Sequence, residues 1–313
     1  MKYIFKKIIT LIITLLVISL LTFLAFQIIP GDSALTALGT NATKEAIDAL
    51  REELGLNEPL FIRYGSWLSG IIKGDFGLSS QYNIPVSSLL KDRFIVTFYL
   101  AVIALIVIIV LSFPFGILTV KKEGGFLDRV ITLICQINMA IPPFFLGMLI
   151  TLIFGLILKM FTPGAYVGIQ DNFLGFLGYL FFPAVAIALP KAAMLIKFLR
   201  SSLLRQLKLD YVRTARSKGD TEHQILYKHV LKNGLIPVIT FLAMMIADVF
   251  AGSIMIEQVF SLPGLGRLLV VAISNRDFPV VSAIIMYIAI LIVFINFIVD
   301  ILYQYIDPRV RIS

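Results

Sequence analysis

The residues of this sequence that could carry out catalysis are few and far apart. The histidines His223 and His229 lie in one polar stretch, and the single cysteine, Cys135, lies in an apolar run without a partner for a disulfide or a metal site. No G-x-x-x-x-G-K-S/T phosphate loop is present, and Gly164 and Gly168 do not begin one. The sequence therefore predicts a chain that is not an enzyme and that binds no metal or cofactor of its own.

The composition places the chain in a membrane. Hydrophobic residues make up 59% of its 313 residues and charged residues only 15%, whereas a soluble domain is about one quarter charged. The net charge of +8 comes from short basic blocks between apolar runs, a distribution that fixes orientation in a bilayer and argues against nucleic acid binding. The predicted fold class is an all-α integral membrane protein surrounded by lipid.

Six apolar runs are long enough to cross a bilayer. The first follows a basic N-terminus but lacks a cleavage pattern, so we interpret it as an uncleaved transmembrane helix. Pro142 and Pro143 interrupt the third run, and the prolines of the fourth run either lie within a helix or divide it. The six runs are Ile8–Ile29, Phe94–Val120, Val130–Leu158, Phe173–Leu199, Leu235–Val259 and Phe278–Ile306.

The predicted domains follow from these runs. Residues 1–30 are the cytosolic N-terminal end and the first helix, and residues 31–93 are a small polar subdomain with a short helix that Thr43 could cap. Residues 94–306 form a five-helix core, and residues 307–313 form a tail. With both termini in the cytosol, 17 Lys and Arg lie inside and nine outside, with Lys191 inside a helix. This bias predicts that residues 31–93 are external.

Polar side chains inside the apolar runs are candidates for a membrane path. Asp248 lies within the fifth run, and Asn138 precedes Pro142 in the third. An ionisable side chain at membrane depth usually faces the interior of a helix bundle or a water-filled cavity. We therefore interpret Asp248, Asn138 and Pro142 as candidates for a path or a subunit interface. A hydrogen-bonded structural role is the alternative.

The polar loop of residues 200–236, the coupling loop, carries the most information. Its apolar residues have helical spacing on either side of Gly219, and Asp220 or Thr221 could cap the second piece. This pattern predicts two short helices joined at Gly219. A basic membrane anchor and a patch on anionic lipid are the simpler interpretations, and a docking element for a soluble partner is the third.

The coupling loop resembles the EAA loop of ABC importer permeases. Arg213-Thr214-Ala215 stands at the E-A-A position, Gly219 stands at the glycine, and only Ala215, Gly219 and Leu231 match that pattern literally. The stretches 211–219 and 228–237 resemble the version found in the dipeptide, oligopeptide and nickel permeases. Further tags of that family occur in order at 29–32, 54–60, 74–77, 141–144, 257–267, 276–280 and 307–309.

The resemblance is to the first, long-loop permease subunit, and it implies a type I importer fold with six transmembrane helices. It also implies partners: a second homologous permease, two ATPase subunits that hold ATP and Mg, an extracytoplasmic binding protein and a peptide substrate. Nickel or a metal chelate is the alternative substrate, and a stand-alone secondary transporter is an alternative of another class. The residues that the resemblance assigns to ATPase coupling are Arg213, Thr214, Ala215, Arg216, Ser217, Lys218, Gly219, Asp220, Ile225, Lys228 and His229.

An irregular segment follows the fifth apolar run. Pro263, Gly264 and Gly266 predict a turn there, and the apolar residues around it suggest re-entry into the membrane surface. We interpret Glu257, Phe260, Pro263, Gly264 and Gly266 as an external gate-like segment. An ordinary interfacial hairpin is the alternative.

Overall fold

The computed structural model describes residues 2–28, 43–53 and 57–306. Some features predicted from the sequence lie outside these residues: the tags at 29–32 and 307–309, part of the tag at 54–60, and the predicted tail 307–313. Within them the chain is helical apart from turns and one isolated bridge between Leu78 and Pro85. The helices that precede the coupling loop are α1 (Lys2–Ile28), α2 (Lys44–Glu53), α3 (Leu60–Lys73), α4 (Val86–Lys121), α5 (Phe126–Ala140) and α6 (Pro143–Ile150).

A π-helical segment, Thr151–Ile157, continues α6. The remaining helices are α7 (Phe173–Leu207), α8 (Asp210–Ser217), α9 (Glu222–Val259), α10 (Leu265–Ser274) and α11 (Phe278–Ile306). Among the described residues five helices, α1, α4, α7, α9 and α11, are long and apolar enough to span a membrane. The pair of α5 with α6 and its π-helical continuation passes the same test and bends by 103° between them. With that pair counted as one span, the predicted six-span all-α fold is confirmed.

The prolines act differently according to their spacing. Pro142 and Pro143 lie at the bend between α5 and α6, because two consecutive prolines remove two amide donors and hold the preceding backbone extended. Pro183 and Pro190 lie inside α7, which continues through both. Helix α4 begins at Val86, eight residues before the predicted start at Phe94, because its charged first turns extend beyond the apolar run.

The chain divides into two compact units that do not follow the predicted domains. The first comprises Met1–Val96 and Pro263–Phe297, and the second comprises Thr97–Leu262 and Ile298–Ser313. The predicted domains were drawn from expected exposure to water and lipid, and the units are drawn from packing. The domain boundaries therefore stay a prediction.

In the first unit, α10 and the start of α11 form a buried core with the first turns of α4. Asp277, which is buried, accepts hydrogen bonds from the Ser79 hydroxyl and from the backbone N–H of Ser80 at 3.1 Å. Helix α3 lies against α1, where the Ser19 and Tyr64 hydroxyls are 2.8 Å apart. The turn 74–77 predicted from the sequence is present, with Gly74 and Gly77 both at positive φ.

In the second unit, α7 is the central helix, and α5, α6 and α9 all pack against it. Fifteen of its residues are buried, and buried Cys135 of α5 packs against Ala193 and Ile196, as expected of a small hydrophobic side chain. Glycines allow close approach to α7: a Cβ atom at Gly116 of α4 would lie 2.6 Å from Leu199 Cδ2. Small residues at helix contacts are the usual means of tight packing in membranes.

We predict that Gly116→Leu lowers the free energy of unfolding by about 1–3 kcal/mol, because the added side chain overfills this contact. Gly178→Leu in α7 is the matched control, since no atom lies within 4 Å of a Cβ at that exposed position. The measurement is unfolding of the purified chain in mixed micelles by titration with SDS. Equal destabilisation by the two substitutions would contradict the close packing of α4 on α7.

Candidate functional site

The coupling loop contains the turn that the sequence predicts. Helix α8 ends at Ser217, Gly219 follows with φ +90°, and Asp220 N donates to Ala215 O at 3.2 Å. Thr221 then begins α9 with a capping box, in which Thr221 Oγ1 accepts from Gln224 N and Gln224 Oε1 accepts from Thr221 N. Because side chains with a Cβ atom rarely adopt this φ, glycine at position 219 sets the direction in which α9 leaves α8.

The second helix of the loop is not the separate short helix that the sequence predicted. It passes through a π-helical turn, Ile225–Val230, and continues as one span, Glu222–Val259. The polar residues Lys228, His229 and Lys232 obscured this continuity in the sequence, because they interrupt the apolar pattern without ending the helix. The coupling loop is therefore joined to a transmembrane helix without a break.

Buried apolar residues and side-chain hydrogen bonds hold α8 and the turn at Gly219 against the first turns of α9. Arg216 makes two hydrogen bonds to Glu222, at 2.7 and 3.0 Å, and this pairing raises the pKa of Arg216 above its ordinary value. His229 Nε2 lies 3.0 Å from Asp220 Oδ2 across the same turn. The buried residues that form the apolar contact are Val212, Ala215, Ile225, Leu226 and Val230.

The predicted coupling residues divide into an inner and an outer set. Ala215 and Ile225 are buried and anchor α8, whereas Asp220 and His229 are half-buried. The exposed residues are Arg213, Thr214, Arg216, Ser217, Lys218, Gly219 and Lys228. The outer set thus presents four basic side chains on the surface around the turn.

Asp248 of α9 has a partner that the sequence did not predict. Its carboxylate forms an ion pair with Lys191 Nζ of α7 at 2.8 Å. The Asp248 side chain is 64% exposed in this chain, and that of Lys191 is 19% exposed. Both residues are charged and lie well inside apolar runs. That was the available signal in the sequence, because opposite charges at membrane depth are expected to pair with one another.

Asn138 and Pro142 lie on either side of the end of α5. Asn138 Nδ2 donates to Ile134 O at 2.9 Å within α5. Pro142 is the N-cap residue of α6. It lies between the two helices of the bent pair, and its side chain is exposed. The Asn138 amide therefore donates to a carbonyl of its own helix, and Pro142 lies at the bend between α5 and α6.

The segment from Glu257 to Gly266 contains both buried polar groups and a turn. Glu257 is buried and accepts from Thr97 Oγ1 at 2.7 Å, and the carbonyl oxygen of buried Phe260 accepts from the Tyr179 hydroxyl at 3.2 Å. After Pro263, Gly264 is the N-cap residue of α10, and Gly266 is buried in the first turn of that helix. The irregular turn predicted here is present and is followed by a short apolar helix.

A second ion pair, between Asp128 of α5 and Arg200 of α7, was not predicted either. Arg200 Nε and Nη2 donate to the two Asp128 oxygens at 2.8 and 2.7 Å, and the Asp128 side chain is only 6% exposed. Gly124 N donates to the same carboxylate at 3.0 Å. Arg200 stands at the start of the coupling loop, so this pair ties the coupling-loop end of α7 to α5.

Comparison with known proteins agrees with this architecture. Residues 112–312 match the family described as binding-protein-dependent transport system inner membrane component, and residues 1–101 match the N-terminal family of the same membrane components. The chain is 36% identical over 312 residues to the oligopeptide transport system permease protein AppB of Bacillus subtilis, covering 99% of each chain.

Two further relatives are similar along their whole length. The chain is 34% identical over 309 residues to the probable peptide ABC transporter permease protein y4tP of Sinorhizobium fredii, covering 99% of each chain. It is 34% identical over 312 residues to the glutathione transport system permease protein GsiC of Escherichia coli K12, again covering 99% of each.

The chain belongs to the family of inner membrane components of binding-protein-dependent transport systems, the permease subunits of ABC importers. It is a multi-pass protein of the cell membrane and a membrane subunit of its transporter, distinct from the ATPase. The family resemblance inferred from the ordered sequence tags is confirmed.

We predict that Arg200→Met lowers the free energy of unfolding by about 3 kcal/mol, because it leaves the buried Asp128 carboxylate without its partner. Arg213→Met is the control, since Arg213 is 79% exposed and 3.5 Å from Asp210, and surface pairs of this kind contribute little. SDS titration of the purified chains measures both. A loss for Arg200→Met no greater than that of the control would contradict a stabilising role for the Asp128 pair.

Proposed function

We propose that this chain is the permease subunit of a peptide importer. The support comes from the relatives, whose names specify peptides, oligopeptides and glutathione over full-length alignments. None of these names favours nickel over peptides. A stand-alone secondary transporter does not fit a family whose members work with a binding protein. The proposed cargo is therefore a short peptide rather than a metal or chelate.

The proposed assembly pairs this chain with a second homologous permease and two ATPase subunits, with an extracytoplasmic binding protein that delivers the peptide. ATP and Mg belong to the ATPase subunits in this proposal. The Lys and Arg distribution supports cytosolic termini and an external segment at residues 31–93. In this orientation the coupling loop faces the cytosol, where the ATPases would lie, and Glu257 to Gly266 lie outside.

The continuous helix Glu222–Val259 is the observation that carries the proposed mechanism. The exposed basic surface of the coupling loop would sit against an ATPase subunit. The Arg216–Glu222 pair holds α8 to α9, and the Asp220–His229 contact holds the intervening turn to α9, so a displacement of α8 would move α9 with it. Rocking of this helix between outward-open and inward-open states would then alternate access to the path.

The remaining candidate residues take positions along that path. Asp248 would face it near the middle of the span, and Asn138 and Pro142 would lie where the bent pair α5–α6 changes direction. Glu257, Phe260, Pro263, Gly264 and Gly266 would form the external gate-like segment. The hydrogen bonds of Glu257 and of the Phe260 carbonyl attach the start of this segment to α4 and α7.

We predict that Gly219→Val raises the ATP hydrolysed per peptide imported about tenfold, within the usual range of coupling between sites. A β-branched residue disfavours φ +90°, so α9 would leave α8 in another direction. The measurement is uptake and hydrolysis by the complete importer in proteoliposomes. Gly124→Val is the control, because Gly124 has φ +72° in a turn on the same side of the membrane. An unchanged ratio for Gly219→Val with normal assembly would contradict the coupling role.

Deletion of this gene in its host tests the cargo. We expect the deletion strain to resist toxic tripeptides and to accumulate nickel at the parental rate, because the importer would admit peptides and not the metal. Complementation with the intact gene should restore sensitivity. Unchanged sensitivity together with reduced nickel accumulation would overturn the peptide proposal in favour of the metal.

A further inference from the structure

The Lys191–Asp248 ion pair lies at a depth where lipid cannot accept it. Asp248 is eleven residues before the end of α9 at Val259, which places it about 16 Å along the helix from that end. The middle of a hydrocarbon core about 30 Å thick lies at a similar depth. A carboxylate at this depth must face protein or water, because its exposure to hydrocarbon is costly.

The two partners are nevertheless unequally covered. The Lys191 side chain is 19% exposed and sits against α9, whereas the Asp248 side chain is 64% exposed. Lysine binds Asp248 through Oδ2, so the outward side of the carboxylate remains open to a second cation. The pair is neutral as a whole, which allows it to persist at membrane depth when no substrate is present.

Asp248 lies in the middle of a continuous exposed stripe on α9. The exposed positions between residues 241 and 259 are Met244, Asp248, Ala251 and Met255, and their spacing places them on one face of the helix. Methionine is flexible and polarisable, and it occurs often on surfaces that bind many different partners. A stripe of this kind suits a path for peptides whose side chains vary. Its single charge would bind a charged end group, which all such peptides carry.

We propose that Asp248, held in place by Lys191, receives the protonated amino terminus of a peptide in transit. This inference rests on the proposed peptide-import function. The common chemistry of unmodified short peptides is an ammonium group at one end and a carboxylate at the other. The more exposed member of the pair is the acid. The charge of the stripe is therefore complementary to the ammonium end of the peptide and not to its carboxylate end. Lys191 positions the carboxylate and offsets its charge when the path is empty.

Charge exchange separates recognition from structural pairing. The double variant Lys191→Asp with Asp248→Lys keeps an ion pair between α7 and α9 but makes the exposed charge positive. The assay is ATP-driven uptake of tri-alanine with a free amino terminus by the complete importer in proteoliposomes. We expect complex recovery close to that of the wild type and a maximal uptake rate lower by at least about tenfold, the order of effect expected for loss of one partner of a close charge pair. Uptake at the wild-type rate would overturn the inference.

Single substitutions decide the matter if the exchanged variant is not recovered. Asp248→Asn should lower the maximal uptake rate about tenfold, and Asp248→Glu should restore most of it, while the concentration for half-maximal uptake, set by the binding protein, stays unchanged. Asp92→Asn, an exposed acid at the start of α4, should behave as the wild type. Wild-type uptake by Asp248→Asn would overturn the inference, and so would loss of the second permease from the purified complex, which would make Asp248 an interface residue.

The same assay separates this inference from the function on which it rests. If the wild-type importer takes up no tri-alanine, the peptide function fails and the inference fails with it. If the wild-type importer takes up tri-alanine and Asp248→Asn does so equally well, only the recognition role of Asp248 fails. N-acetylated tri-alanine is the matched substrate, and we expect Asp248→Asn to change its uptake little.

Discussion

The structure depends on the rule that a charge removed from water, whether into hydrocarbon or into the protein interior, needs a partner of opposite charge. Two charges on α7, Lys191 and Arg200, each have an acidic partner on a neighbouring helix, Asp248 on α9 and Asp128 on α5. These pairs bring together helices that are far apart in the sequence, and α7 becomes the helix around which the second compact unit is packed. The same rule makes the open side of Asp248 informative, because an exposed carboxylate in a span implies water, substrate or another subunit beside it.

Coupling and recognition are, in our proposal, properties of one helix. Helix α9 begins at the Thr221 capping box beside the Gly219 turn and continues without a break to Val259. Asp248 is therefore connected to the surface that would meet the ATPase by one helix, which includes the π-helical turn Ile225–Val230 and Pro237. A movement imposed at the coupling loop would change the surroundings of Asp248 without any loop between them absorbing the displacement.

Much of this architecture could be predicted from the sequence, because apolar length determines spans and glycine favours a positive φ. The six spans, the break at Pro142 and Pro143, and the turn at Gly219 were all predicted. The continuity of α9 was not, because Lys228 and His229 interrupt the apolar pattern that marks a span. The partners of Asp248 and Asp128 lie 57 and 72 residues away, and no local pattern reports which helices pack together. The roles of the site residues remain predictions.

The proposed mechanism requires that α8 and α9 move as one body. Two spin labels, placed at Ser217 on α8 and at Met255 near the far end of α9, report on it directly when Cys135 is first replaced by Ala in the complete importer. Pulsed electron paramagnetic resonance then gives the distance between the labels without nucleotide and with trapped ATP. Rigid coupling predicts the same distance distribution in both states. A shift of the distribution on ATP binding would show bending between the coupling loop and the span, and would contradict it.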